Sequence, residues 1–252
     1  VTVSEILLLV LSGVAGGVAN AVAGGGTFFT FPVMVAFGMP TLDANASCSI
    51  GLIPGSIATG AAYWKETRER LWEMVPFALL GIAGGLIGGW LLVEIGDKGF
   101  RPLVPWLIAI ATVTFAFSKQ IRPFAQKLSS GGASAKIIGY GIGAVVAIYG
   151  GFFGAGQGIM WLAALALLYS TADFHRTNAV KNIACLLAQA VSVTLLIANG
   201  LVHWPQAAVV AASSIVGGYY GVAVARRVPD GVIRAVVVTI GVVLTVVFFV
   251  KG

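Results

Sequence analysis

Apolar residues fill long runs along the chain, among them Met74–Val93, Leu103–Ser118, Ile183–Ala198 and Val232–Val250, with short polar or basic stretches between them. About 20 residues of helix cross the hydrocarbon core of a bilayer, so runs of this length predict membrane-spanning helices. None of them alternates apolar and polar positions, which argues against barrel strands. The predicted fold class is all-α, a polytopic integral membrane protein.

Two runs are interrupted in mid-course. The stretch AGGGTFFTFP, from Ala23 to Pro32, ends one apolar segment and starts another, and GGFFGAGQGIM, from Gly150 to Met160, does the same in the second half. Glycine lets the backbone take positive φ and approach another backbone closely. Non-helical backbone at membrane depth is tolerated where it is buried in protein or lines a watery cavity. Paired breaks of this kind are the best pointer in a sequence to a transporter's binding site.

Around the breaks the chain reads as segments a (Ser4–Ala23), b (Thr27–Phe37), c (Ala46–Trp64), d (Met74–Val93) and e (Leu103–Ser118). A Ser-, Gly- and Lys-rich connector follows, and then the order returns as a′ (Ile137–Phe153), b′ (Ile159–Tyr169), c′ (Asn178–Ala198), d′ (Ala207–Ala225) and e′ (Ala235–Val250). Asn45 and Asn178, Gly84 and Gly217, and Asp97 and Asp230 all stand 133 positions apart. Three matches in one register, with one element order, predict a duplication: residues 1–118, a connector 119–136, and residues 137–252. At the breaks an offset of 131 aligns Gly25 with Gly156. Segment b, at about 11 residues, reaches about half the hydrocarbon core, which predicts a half-depth helix.

Charge decides how the two halves are oriented. The c–d loop holds Lys65, Arg68 and Arg70, whereas its counterpart NGLVHWPQ has no Lys or Arg. The d′–e′ loop holds Arg226, Arg227 and Arg234, whereas the d–e loop EIGDKGFRP is mixed. Basic residues mark the cytoplasmic side. The bias swaps between matching loops, so the repeats are predicted to be inverted, with both termini outside. Ala19-Asn20-Ala21 resembles a signal-peptide cleavage site, but the segment before it carries Glu5 and no basic residue, which argues against one.

Composition agrees with a membrane protein: 58% of residues are hydrophobic and 10% charged, against about a quarter charged in a soluble domain. The net charge of +6 sits in loops and reads as topology rather than nucleic-acid binding. Cys48 and Cys185 have no metal-type spacing. No Walker A, HExxH or nucleophile-elbow motif is present, so no enzyme, catalytic residue, metal or cofactor is expected.

The nine Asp and Glu all fall in loops or at segment ends, which leaves no intramembrane carboxylate for proton coupling. If b and b′ start near mid-membrane, their first N–H groups face a common cavity and favour an anion. The expected site is therefore Gly24, Gly25, Gly26 and Thr27 with Ala155, Gly156, Gln157 and Gly158 as backbone donors. Asn20, Asn45, Ser49, Asn178, Asn182 and Gln189 add polar side chains, and Lys181 adds a cation. Asn45 and Asn178 read equally well as N-caps of c and c′, and Lys181 as an interfacial snorkelling lysine. His175 and His203 read as loop residues without chemistry.

AGGGTFFTFP followed by GMPTLDANAS resembles the first-half signature of the sulfite exporter TauE/SafE family, and GGFFGAGQGIM resembles its second. The departures are Gln157 for a usual glycine, Ala163 for a proline, and TNAVKN for a Gly-Thr-Ser-like run. The resemblance implies an inner-membrane transporter of sulfur-containing anions such as sulfite, sulfonates or thiosulfate. The expected partners are a small anionic substrate and the lipid bilayer, with no nucleic acid, and a homo-oligomer is compatible with the sequence. A passive anion channel of the same fold and a non-transporting assembly subunit are the alternative readings.

Overall fold

A computed structural model describes residues 2–22, 24–62, 64, 68, 71–120, 133–169, 174–227 and 230–251. Among them run ten helices of ten residues or more. The first half holds α1 (Val3–Val22), α2 (Thr27–Ala36), α3 (Thr41–Ala62), α4 (Leu71–Phe100) and, after a 3₁₀ turn at Arg101–Leu103, α5 (Val104–Ala116). The second holds α6 (Ala133–Phe152), α7 (Gln157–Leu168), α8 (Phe174–Ala198), α9 (Trp204–Arg227) and α10 (Asp230–Lys251). Four helical stretches are long and apolar enough to cross a membrane: Val3–Val22, Trp72–Ala116, Ser134–Phe152 and Thr177–Ala198. The chain is an all-α, polytopic membrane protein.

Several boundaries differ from the sequence reading. Helix α3 starts at Thr41 and α8 at Phe174, each about one turn before Asn45 and Asn178. Those asparagines therefore lie inside helices and are not N-caps. The polar composition of PTLDAN and FHRT hides these first turns from the sequence. In the d–e stretch the helix runs on to Phe100, with the turn made at Gly96 (φ 61°, ψ −177°). Asp97 then accepts from Thr41 Oγ1 (2.7 Å) and from the Leu42 N–H (2.8 Å), placing a carboxylate at the positive end of α3. Lys65, Arg70 and the connector from 121 to 132 lie outside the described residues.

The helices pair across the halves. Helix α1 packs most extensively on α9 and α6 on α4; α3 also packs on α9, α8 on α4, and α5 on α10. Exchanging the two halves carries this list onto itself. The detail follows suit: an added Cβ at Gly218 would strike the Gly55 carbonyl, and one at Gly85 the carbonyl of Ala188, 133 positions on from Gly55. Helix–helix association in lipid depends on such close backbone approach, which explains 34 glycines in 252 residues.

At each break the chain reverses. Gly16 of α1 lies against Thr30 of α2, while Gly139 and Gly143 of α6 lie against Leu168 and Trp161 of α7. With 10 and 12 residues, α2 and α7 span about 15 and 18 Å, half the thickness of the hydrocarbon core. Gly24 (φ 75°) and Gly154 (φ 78°) each follow their helix end by two residues. The breaks therefore correspond at an offset of 130, not 131, and the second half gains three residues by the start of α8, two of them in α7 itself.

Candidate anion site

The two reversals meet tip to tip. Gly156 (φ 73°) donates its N–H to the Gly24 carbonyl (3.1 Å), and a Cβ on Gly24 would lie 2.5 Å from the Gly158 Cα. Most N–H groups expected to face a cavity are spent in holding this crossing. Gly24 donates to the Ala19 and Asn20 carbonyls, Gly26 to Asn20 Oδ1 (2.8 Å), and Gln157 to the Gly154 carbonyl. Each break also brings a helix C-terminus beside a helix N-terminus, about half a charge of either sign, so the dipoles largely offset one another.

Beside the crossing is a small cavity, about 20 Å³ open to the centres of water molecules and so room for one or two of them. Its walls combine the crossing with α3 and α8: Asn20 and Gly24, Ser56 and Thr59, Gln157, and Lys181, Asn182, Cys185 and Gln189. Of the expected site residues the fold thus gathers Asn20, Gly24, Gln157, Lys181, Asn182 and Gln189. Gly25, Gly26, Thr27, Ser49, Ala155, Gly156 and Gly158 are buried around the crossing or in α3 but do not line the cavity. The sequence reading did not single out Ser56, Thr59 or Cys185 as site residues. The signal that could have found Ser56 is the repeat itself, since it stands 133 positions before Gln189.

Asn45 and Asn178 take a different role. Asn45 Nδ2 donates to the Phe152 carbonyl (3.1 Å) at the end of α6, and Asn178 Nδ2 to the Ala21 carbonyl (3.4 Å) at the end of α1. The last carbonyls of a helix have no intrahelical partner. Each asparagine therefore satisfies a carbonyl at the broken end of the other half's first helix and ties the crossing together.

Lys181 departs furthest from expectation. It is not at an interface: its side chain is fully buried, 0% exposed, two turns into α8. Its hydrogen bond is a long one, from Nζ to the Asn20 carbonyl at 3.5 Å. Among the described residues no carboxylate pairs with it; the contact of a basic with an acidic side chain seen there is His203 Nε2 with Asp43 Oδ2, at 2.9 Å on the surface. Removing an ammonium from water without a counter-ion costs on the order of several kcal/mol. Around it, Gln157 is 2% exposed and Gln189 4%. Asn182 Nδ2 and Gln157 Oε1 are buried without a partner. Buried polar groups are normally hydrogen-bonded, so the Lys181 ammonium and Asn182 Nδ2 are donors in want of an acceptor, while Gln157 Oε1 is an acceptor without a donor. Among the described residues no group of three or more His, Cys, Asp or Glu could hold a metal ion.

The family model described as "Sulfite exporter TauE/SafE" matches residues 9–248. The chain belongs to the TauE/SafE family. Among its relatives, a "Probable membrane transporter protein" of Haemophilus influenzae is 25% identical over 242 residues, covering 95% of this chain and 92% of that one. YfcA of Escherichia coli K12, also described as a probable membrane transporter protein, is 25% identical over 96% of this chain and 90% of its own length. ORF9 of a Sinorhizobium species, described likewise, is 24% identical over 66% of this chain and 65% of its own. No solved structure matches. As a TauE/SafE member the protein is a multi-pass inner-membrane transporter and not an enzyme.

Proposed function

We propose that this TauE/SafE protein is a secondary transporter of small sulfur-containing anions, of the sulfite, sulfonate or thiosulfate class, which bind in the Lys181 cavity. The observation that carries the reading is the fully buried, carboxylate-free ammonium of Lys181 among amides at the crossing of two broken helix pairs. An oxyanion supplies the missing acceptor: it pairs with the ammonium and takes hydrogen bonds from Asn182 and the glutamine amides. Residues 1–118 and 137–252 act as an inverted pair around this site, joined by 119–136, and expose it to each side in turn. Asp43 at the start of α3 touches His203 just past the end of α8. Corresponding helices that begin and end on one face run in opposite directions, which supports inversion. The cavity belongs to one arrangement of the two halves and must widen to admit an oxyanion.

The test is thermal stability of the purified protein in detergent with sulfite, methanesulfonate, thiosulfate, sulfate, chloride and the neutral dimethyl sulfone. Saturable stabilisation by a sulfur oxyanion is expected, about 2.7 kcal/mol at a hundred times Kd, and its loss in Lys181→Met. Equal stabilisation by dimethyl sulfone, or by no sulfur anion at all, would overturn the reading.

A further inference from the structure

We propose that Lys181 makes the protein an exchanger of monovalent anions, one carried in each direction. The inference rests on the anion site proposed above and follows from counting its charge. The cavity lining holds one cation, Lys181, and no carboxylate; Asn20, Gln157, Asn182 and Gln189 are neutral, as are Ser56 and Thr59. The helix ends at the crossing come in opposed pairs and add little net charge. The fixed charge is therefore close to one positive unit.

A monovalent oxyanion brings the enclosed site to neutrality. A divalent one leaves a negative charge unmatched in a place that holds one or two waters, and such a charge is costly to bury, so the class proposed above narrows to sulfonates and hydrogen sulfite, and thiosulfate drops out. The same count applies to the unloaded protein. To pass from one side to the other it must enclose an ammonium whose bonded neighbour is a single carbonyl at 3.5 Å. Enclosing that charge with its anion is easier than enclosing it without. Shedding the ammonium proton first is a further cost to unloaded passage, so loaded passage is faster in both directions, and the result is one-for-one exchange without net charge movement.

Methanesulfonate and sulfate separate the two terms, because they share a tetrahedral sulfur and differ by a methyl group in place of one charged oxygen. The experiment measures uptake of labelled methanesulfonate into proteoliposomes of the full chain, preloaded with methanesulfonate, with sulfate or with neither. Internal methanesulfonate is expected to accelerate uptake on the order of a hundredfold. Internal sulfate is expected to leave it at the unloaded rate, and a potassium–valinomycin potential to change nothing. Lys181→Gln is expected to abolish the acceleration. Uptake that is equally fast into unloaded vesicles, equal acceleration by sulfate, or an unchanged acceleration in Lys181→Gln would overturn the inference while leaving anion transport standing. If neither anion enters any vesicle nor shifts the melting temperature, the anion site itself fails and the inference with it.

Discussion

The two broken helix pairs are built alike and equipped differently. In both, a glycine with positive φ ends the first helix, a half-length helix turns back along it, and an asparagine from the opposite half satisfies the exposed carbonyls. The polar equipment is one-sided. Lys181 of α8 corresponds to Cys48 of α3, which is fully buried with its Sγ 3.4 Å from Met34 Sδ. Gln157 corresponds, at the offset of 130, to Thr27, and Asn182, at the offset of 133, to Ser49. Around the first break the neighbours are rings: Phe28 packs edge-on to Phe115, and Phe31 meets both Phe153 and Phe248. The two halves share a scaffold, but the second carries the charge. The first half contributes Ser56, Thr59, the backbone of Gly24 and the Asn20 carbonyl against which that charge rests.

Moving the charge to the first half is the harshest way to break this comparison. Cys48→Lys would bury an ammonium in a fully buried position against Met34 and should cost about 3–5 kcal/mol, seen as a large fall in melting temperature in detergent. Lys181→Met should melt no lower than the wild type while losing anion-dependent stabilisation. Equal destabilisation in the two variants would mean that the halves do not differ in the way described.

The crossing can be sharpened against an ordinary turn. Gly24→Ala combines a left-handed φ with a Cβ against Gly158 and should cost about 2–4 kcal/mol. Gly38→Ala, with φ 82° and open space around it, should cost about 1 kcal/mol. Melting curves of the two proteins decide it, and equal losses would argue against tight contact between the breaks.

The cysteines report on access. Cys185 lines the cavity and Cys48 does not. A small methanethiosulfonate reagent should therefore modify Cys185 first, and an anion at about ten times its Kd should slow the reaction about tenfold. Mass spectrometry of the labelled protein reads both sites, and anion-independent labelling of Cys185 would count against the cavity. The smallest effect expected is a symmetric one. Asn45→Ala and Asn178→Ala each lose one hydrogen bond to a helix end and should cost about 1 kcal/mol each, by denaturation, with anion affinity little changed.

Much of this plan is legible in the sequence because it rests on local rules. Glycine runs inside apolar segments mark the breaks, and the 133-residue spacing marks the matched asparagines. What sequence hides is set by contacts distant along the chain. Lys181 reads as a snorkelling lysine because the polar turn before it looks like loop; only the earlier start of α8 carries it two turns inward. The glycine N–H groups read as free donors because nothing local says that Gly156 meets Gly24 or that Asn20 reaches Gly26. In the proposed site the charge thus rests on Lys181, which the sequence offered only as one contributor beside the helix ends.

The most direct test is to locate the anion. Selenite matches the shape of sulfite and scatters anomalously, so a crystal of the protein grown with it marks the bound oxyanion by its selenium. The predicted peak lies within about 4 Å of Lys181 Nζ, between Gln157 and Asn182. A peak elsewhere in the helix bundle, or none at a selenite concentration that raises the melting temperature, would contradict the account.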